Sequence, residues 1–191
     1  MAKESKRDLI LLALEELLPG RRFHEITLDE VSRAAKVGKG TIYLYFRDKD
    51  ALFSEMVCYR LERLRGKLEE MLENTSDDLP RCMMETIVEF INQHRAGFGQ
   101  EGEFASQVAK MSPEELEHIK DIASSIIDAA AEVMKRTNSA WSDQQSRIYA
   151  QIFLWMIDGF ARSRIGGAAT LPDVDFLLDF FRRGAGITQQ N

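Results

Sequence analysis

At 191 residues and 45% apolar content, the chain is long enough for a real core, which excludes disorder as a description of the whole. No run approaches about 18 uncharged apolar residues, which excludes a membrane-spanning helix. The formal net charge of −6 argues against a polyanionic partner only until its distribution is seen: residues 1–50 hold ten Lys/Arg against nine Asp/Glu, and the remainder 15 against 22, giving +1 and −7. Local potential steers a polyanion, and the positive charge concentrates between Arg33 and Lys49.

Cys58 and Cys82 are the two cysteines, and without metal-ligand spacing they suit a reducing compartment better than a disulfide framework. The first residues lead into a segment carrying Glu15 and Glu16 rather than a signal-peptide core. A soluble, cytoplasmic protein without membrane association is expected.

The first periodic segment covers residues 3–18, with Leu9, Ile10, Ala13, Leu14 and Leu17 at helical spacing and Pro19-Gly20 as its stop. Thr27-Leu28-Asp29-Glu30 has the form of a capping box, and Ile26 before it can staple onto Val31. The helix it opens covers 28–35. After a turn at 36–38, a second short helix covers 39–45. Two short helices joined by a three-residue turn make a helix-turn-helix, whose second helix enters the DNA major groove. Asp48 caps a long helix over 49–73, with Val57, Leu61, Leu64, Leu68 and Met71 along one side.

Residues 74–78 are polar and break the pattern. Met83, Met84, Ile87, Val88 and Ile91 mark a helix to residue 94, and the glycine-rich 96–102 reads as a loop. A shorter helix is expected at 103–110. Ser112-Pro113-Glu114-Glu115 starts the next, with Ser as cap, Pro at the first position and Glu at the third, and it reaches residue 136. Ser142 caps a helix to 163, ended by Gly166-Gly167, and 172–183 forms the last, closed by Gly184. No strand pattern or internal repeat is present. The expectation is an all-α protein of about nine helices: an N-terminal three-helix DNA-binding domain at 1–48, and a helical effector-binding and dimerisation domain at 49–191, linked by the helix at 49–73.

Between Phe23 and Phe53 the sequence resembles the N-terminal domain of the TetR family of transcriptional regulators. The residues that carry this are Ile26-Thr27, Val31, Ala34-Ala35, Val37, Lys39-Gly40-Thr41-Ile42-Tyr43, Tyr45-Phe46, Lys49 and Ala51-Leu52. The motif is dense and covers roughly a sixth of the chain; the remainder resembles the family in length, helical content and helix order. The resemblance implies a homodimer that binds palindromic operator DNA and is released by a small effector. Two departures stand out. Lys36 occupies the position where the family usually has a left-handed glycine, a strain of about 1 kcal/mol. Gly38 replaces the usual serine cap of the recognition helix, at a cost of a few tenths of a kcal/mol and one hydroxyl.

The candidate DNA contacts are Thr27, Gly38, Lys39, Gly40, Thr41, Tyr43, Leu44, Tyr45 and Lys49. Gly40 costs about 1 kcal/mol in helix propensity but lets the backbone approach DNA closely. Lys39 can donate to guanine O6/N7, and the Thr41 methyl can touch thymine. Tyr43 is a rigid phosphate donor, and Thr27 and Lys49 lie at helix starts that favour phosphate. Leu44 and Tyr45 complete the exposed face, core packing being the other reading for Tyr45. Ile42 and Phe46 are expected in the core.

Residues 148–160 are apolar nearly all round, and the last helix repeats this, so both need cover on every side. Pairing with symmetry mates in a four-helix bundle supplies it, through Ile152, Trp155, Met156, Gly159, Phe160, Phe176, Leu177 and Phe180. Met83, Phe90, His94, Phe98, Phe104, Met111 and Trp155 are candidate lining for an effector pocket, which suggests a largely apolar ligand, with ordinary core packing as the other reading of each. His94 and His118 are too far apart in sequence to argue for a metal site. No cofactor is expected. No phosphate loop, nucleophile elbow, zinc-binding helix or paired-carboxylate constellation suggests an enzyme. The expected function is a ligand-released, dimeric repressor of transcription; the alternative is a DNA-binding dimer without effector, whose C-terminal half only dimerises or docks another protein.

Overall fold

Several helix starts follow from local capping chemistry, with Ser5, Thr27 and Ser112 as capping side chains. The computed structural model describes residues 5–74, 78–95, 103–162 and 173–184. Among these residues the chain forms nine α-helices and no strand: α1 Lys6–Leu17, α2 Leu28–Ala34, α3 Lys39–Tyr45, α4 Lys49–Glu73, α5 Leu79–Arg95, α6 Glu103–Val108, α7 Pro113–Thr137, α8 Asp143–Arg162 and α9 Val174–Gly184, with a short 3-10 turn at Phe23–Glu25. The all-α fold expected from the periodicity is the fold observed.

Two helix starts differ from expectation, each for a capping reason. α1 begins at Lys6 because Ser5 and Asp8 form a capping box, the Ser5 Oγ accepting from the Asp8 N–H at 3.1 Å. α5 begins at Leu79, four residues before Met83, because Asp78 accepts from the Arg81 N–H at 3.3 Å and Pro80 is tolerated in a first turn. The start of α7 is as expected: the Glu115 carboxylate accepts from the Ser112 N–H at 2.7 Å, and Ser112 Oγ accepts from the Glu115 N–H at 3.2 Å.

The chain forms two compact units, one of residues 1–61 with 93–121 and the other of 62–92 with 122–191. In the first, α1 packs on α2 and α3. Its core joins Ile10, Leu11 and Leu14 to Phe23, Ile26, Val31, Ile42 and Phe46, and to Leu52, Phe53, Met56 and Val57 at the start of α4. Met111 and Ile119 pack against this cluster. The N-terminal core therefore extends past residue 48, where the sequence suggests a boundary, because Leu52, Phe53, Met56 and Val57 of α4 are buried in it. Arg60 is 2% exposed and pairs with Glu15 of α1 at 3.1 Å, and Arg7 of α1 pairs with Glu55.

In the second unit, Met83, Met84 and Ile87 of α5, Ile122, Ile126, Ala130, Val133 and Met134 of α7, and Phe153 and Ile157 of α8 are buried, as are Leu177, Leu178 and Phe181 of α9. Phe153 and Phe181 meet edge to face at 5.1 Å. Arg81 of α5 reaches Asp175 of α9 at 2.6 Å, and Arg182 reaches Asp78 at 3.3 Å.

Candidate nucleic-acid interface

Thr27 opens α2. Its Oγ1 accepts from the Glu30 N–H at 3.2 Å, and the Glu30 carboxylate accepts from the Thr27 N–H at 2.8 Å and from the Thr27 hydroxyl at 2.9 Å. Arg21 closes on the same carboxylate at 3.0 Å. These bonds, led by the backbone N–H of Thr27, hold the Glu30 carboxyl down at about 2. Ile26 and Val31, each 1% exposed, both sit in the core below, consistent with the hydrophobic staple.

α2 ends in a Schellman motif. The Val37 N–H donates to the Ser32 carbonyl at 3.0 Å, the Lys36 N–H to the Arg33 carbonyl at 3.2 Å, and Lys36 between them has φ 54°. A lysine here carries left-handed strain that a glycine would avoid. Gly38 then has extended backbone (φ −70°, ψ 145°), and its carbonyl accepts from the Thr41 N–H at 2.8 Å to start α3 without a side-chain cap.

Of the seven residues of α3, one faces the core and most face the surface. Ile42 is buried, as is Phe46 just beyond it; Tyr43, Leu44 and Tyr45 are 53%, 83% and 47% exposed. A leucine held that far out of the core on a rigid helix is available for apolar contact with a partner. A Cβ placed on Gly40 would meet nothing within 4 Å, so nothing within the protein requires a glycine there. Thr27, Gly38 and Lys39 share the exposed surface, and Thr41 is half-buried.

Two of the expected DNA contacts are already engaged within the protein. The Lys39 ammonium pairs with Asp29 of α2 at 2.9 Å, and the hydrogen bond with that carboxylate raises its pKa. The Lys49 ammonium donates to the Phe23 carbonyl at 2.5 Å and lies 4.4 Å from the centre of the Phe23 ring. Arg33 Nε donates to the Asp29 carbonyl at 3.2 Å, and Arg47 pairs with Asp48 at 3.1 Å. Asp48 also accepts from the Ala51 N–H at 2.7 Å, the expected cap of α4. Asp29 escaped the sequence reading because it lies ten positions before Lys39 on another helix, a separation that no helical period connects.

The other candidates scatter. Met83 is fully buried in the second unit, Phe90 is half-buried, and the half-buried Met111 packs against the first unit's core. Phe98 lies outside the described residues, as do the side chains of His94, Phe104 and Phe160. Ile152 and Trp155 of α8 are 51% and 69% exposed, and Ile148 joins them at 46%. Gly159 is exposed and Met156 half-buried. On α9, Phe176 and Phe180 are each 56% exposed and stack at 6.5 Å. Leu177, expected beside them, instead points into its own unit's core at 0% exposure, because one residue's step turns a side chain about 100° around a helix. Trp155 stands outward in its unit rather than lining an interior.

Among the described residues no cluster of His, Cys, Asp or Glu is placed to hold a metal ion, and no helix is long and apolar enough to cross a membrane.

Residues 10–56 match the family described as bacterial regulatory proteins, tetR family. The helix-turn-helix regulator YhgD of Bacillus subtilis is 31% identical over 93 residues, 47% of this chain and 48% of that protein, so the match spans about half of its length. The transcriptional repressor BepR of Brucella suis biovar 1 is 27% identical over 174 residues, 84% of this chain and 81% of its own. Among solved structures, reduced NemR of E. coli superposes with a TM-score of 0.68 at 18% identity, covering 94% of this chain and 97% of that one, which establishes likeness of fold.

Proposed function

Because residues 10–56 are a TetR-family regulatory domain, we propose that the protein is a sequence-specific DNA-binding regulator of transcription, a repressor that binds a palindromic operator as a homodimer. The observation that carries the reading is α3: a short helix with Ile42 and Phe46 locked in the core and Tyr43, Leu44 and Tyr45 held out from a rigid turn. Lys39 and Thr41 are its base-reading residues and Tyr43 its phosphate anchor. Gly40 lets the backbone approach the groove.

Dimerisation through α8 and α9 places two such helices on half-sites about 34–36 Å apart, or a multiple of that. The exposed Ile148, Ile152, Trp155, Phe176 and Phe180 support this, since five large apolar side chains on two helices are costly to leave in water. Release by a small, largely apolar effector rests on the family resemblance and on the methionine- and phenylalanine-bearing α5. The reading carries with it a cytoplasmic protein without catalytic activity.

The test is selection from a randomised duplex library, followed by titration of the selected duplex and a shuffled duplex of equal composition. Preference for the selected duplex by tenfold or more, with a palindromic consensus, is expected; equal affinity would remove the regulator reading. A thermal-shift screen of apolar compounds checks the effector, since a ligand at 100 times its Kd adds about 2.7 kcal/mol.

A further inference from the structure

Three basic residues around the helix-turn-helix are paired with carboxylates of the same segment. Arg21 is paired with Glu30 at 3.0 Å, Lys39 with Asp29 at 2.9 Å and Arg47 with Asp48 at 3.1 Å, while Lys49 donates to a backbone carbonyl. Residues 1–50 sum to only +1. Sequence-independent affinity for DNA comes from cations that neutralise phosphates, and each cation held by a carboxylate contributes less to it. Among these pairs only Lys39–Asp29 involves a residue of α3, the element assigned to base reading.

We propose that Asp29 is a specificity-determining residue, which holds the Lys39 ammonium away from phosphates and releases it only to a guanine edge. The inference rests on the DNA-reading role given to α3 above. Both side chains are about half exposed, 50% for Lys39 and 56% for Asp29, so the pair is open to exchange. An exposed pair of this kind biases an equilibrium by no more than about fivefold. Guanine offers two acceptors, O6 and N7, in fixed geometry, and good base contacts discriminate by about fivefold to 150-fold, enough to displace the carboxylate. A single phosphate oxygen at an arbitrary sequence offers less, and it also meets the Asp29 charge. Asp29 thus suppresses binding where Lys39 finds no guanine and is outcompeted where it does. Arg33 Nε donates to the Asp29 carbonyl, leaving the Asp29 carboxylate to Lys39.

The test measures affinity for the library-selected duplex and for its shuffled counterpart, between 50 and 200 mM salt, with wild type, Asp29→Asn, Lys39→Ala and the double variant. Asp29→Asn is expected to tighten binding to the shuffled duplex about threefold to fivefold and to the selected duplex by less, so the preference falls. The salt slope on shuffled DNA should steepen by about 0.9, the value for one added phosphate contact. In the Lys39→Ala background, Asp29→Asn should change shuffled-duplex affinity less than twofold. If the gain persists without Lys39, Asp29 merely repels DNA and the proposal is overturned; an unchanged preference in Asp29→Asn overturns it too. In both cases the regulator reading stands, whereas a wild type that does not discriminate removes that reading as well.

Discussion

Ser54 of α4 donates its hydroxyl to Glu115 of α7 at 2.7 Å, across 61 residues of sequence. The same carboxylate caps α7 by accepting from the Ser112 N–H at 2.7 Å. The Ser112 N–H, then the Ser54 hydroxyl, hold Glu115 below the usual carboxylate range. Ser54 is 3% exposed, and truncating it leaves the half-buried Glu115 carboxylate short of one donor. Ser54→Ala should lower stability by about 1–2 kcal/mol at pH 7. Because the folded pKa is depressed, this contribution is present above the unfolded carboxylate pKa and fades as pH falls below it. Urea midpoints at pH 7 and pH 3 check it, and an equal loss at both would contradict the assigned cause.

Lys36→Gly should stabilise the fold. Its φ of 54° is the left-handed conformation that costs a side-chain-bearing residue about 1–2 kcal/mol, offset by glycine's extra freedom in the unfolded chain, about 0.4–1 kcal/mol. A net gain of about 0.5–1 kcal/mol is expected, read as a higher denaturant midpoint at unchanged m. A lower midpoint would mean that the lysine side chain supports the turn.

Gly40→Ala separates stability from DNA binding. The open space around Gly40 lets alanine raise helix propensity by about 1 kcal/mol. If the glycine serves close approach to DNA, affinity for the selected duplex should fall tenfold or more while the thermal midpoint rises. A stabilised variant with full affinity would show that Gly40 has no role at the DNA surface.

The Glu30 carboxyl, held at about 2 by the Thr27 N–H, Arg21 and the Thr27 hydroxyl, sets an acid limit on the start of α2. Its depressed folded pKa means a contribution fully present above about 4.5 and lost as pH falls toward about 2. The stability difference between wild type and Glu30→Gln should therefore be largest at neutral pH and shrink through that window. Chemical denaturation at pH 7, 4 and 3 checks the trend, and a difference that grew on acidification would reverse the sign assigned here.

Phe180→Glu should separate the proposed dimer without unfolding its subunits, since Phe180 is 56% exposed in the protomer. Sedimentation equilibrium should report a fall from twice 21.8 kDa to 21.8 kDa with helical content unchanged. Charge at the centre of an apolar interface leaves a buried unpaired ion, which is why one substitution suffices. A wild type that already sediments at 21.8 kDa would remove the dimer from the reading.

What the sequence determined by itself was local. The capping boxes at Thr27 and Ser112, the Asp48 cap and the division of α3 into inward Ile42 and outward Tyr43, Leu44 and Tyr45 all follow from interactions within about four residues or from helical periodicity, which any reader of the chain can apply, while the left-handed Lys36 was legible only through the family resemblance. Tertiary structure decided what depends on distant parts of the chain. It brought Asp29 to Lys39, turned Lys49 onto Phe23, packed Met111 and Ile119 against the N-terminal core, and buried Leu177 between the exposed Phe176 and Phe180. Spacing along one helix says which residues share a face; only the packing of several helices says which face meets the core, and which charges find each other before DNA does.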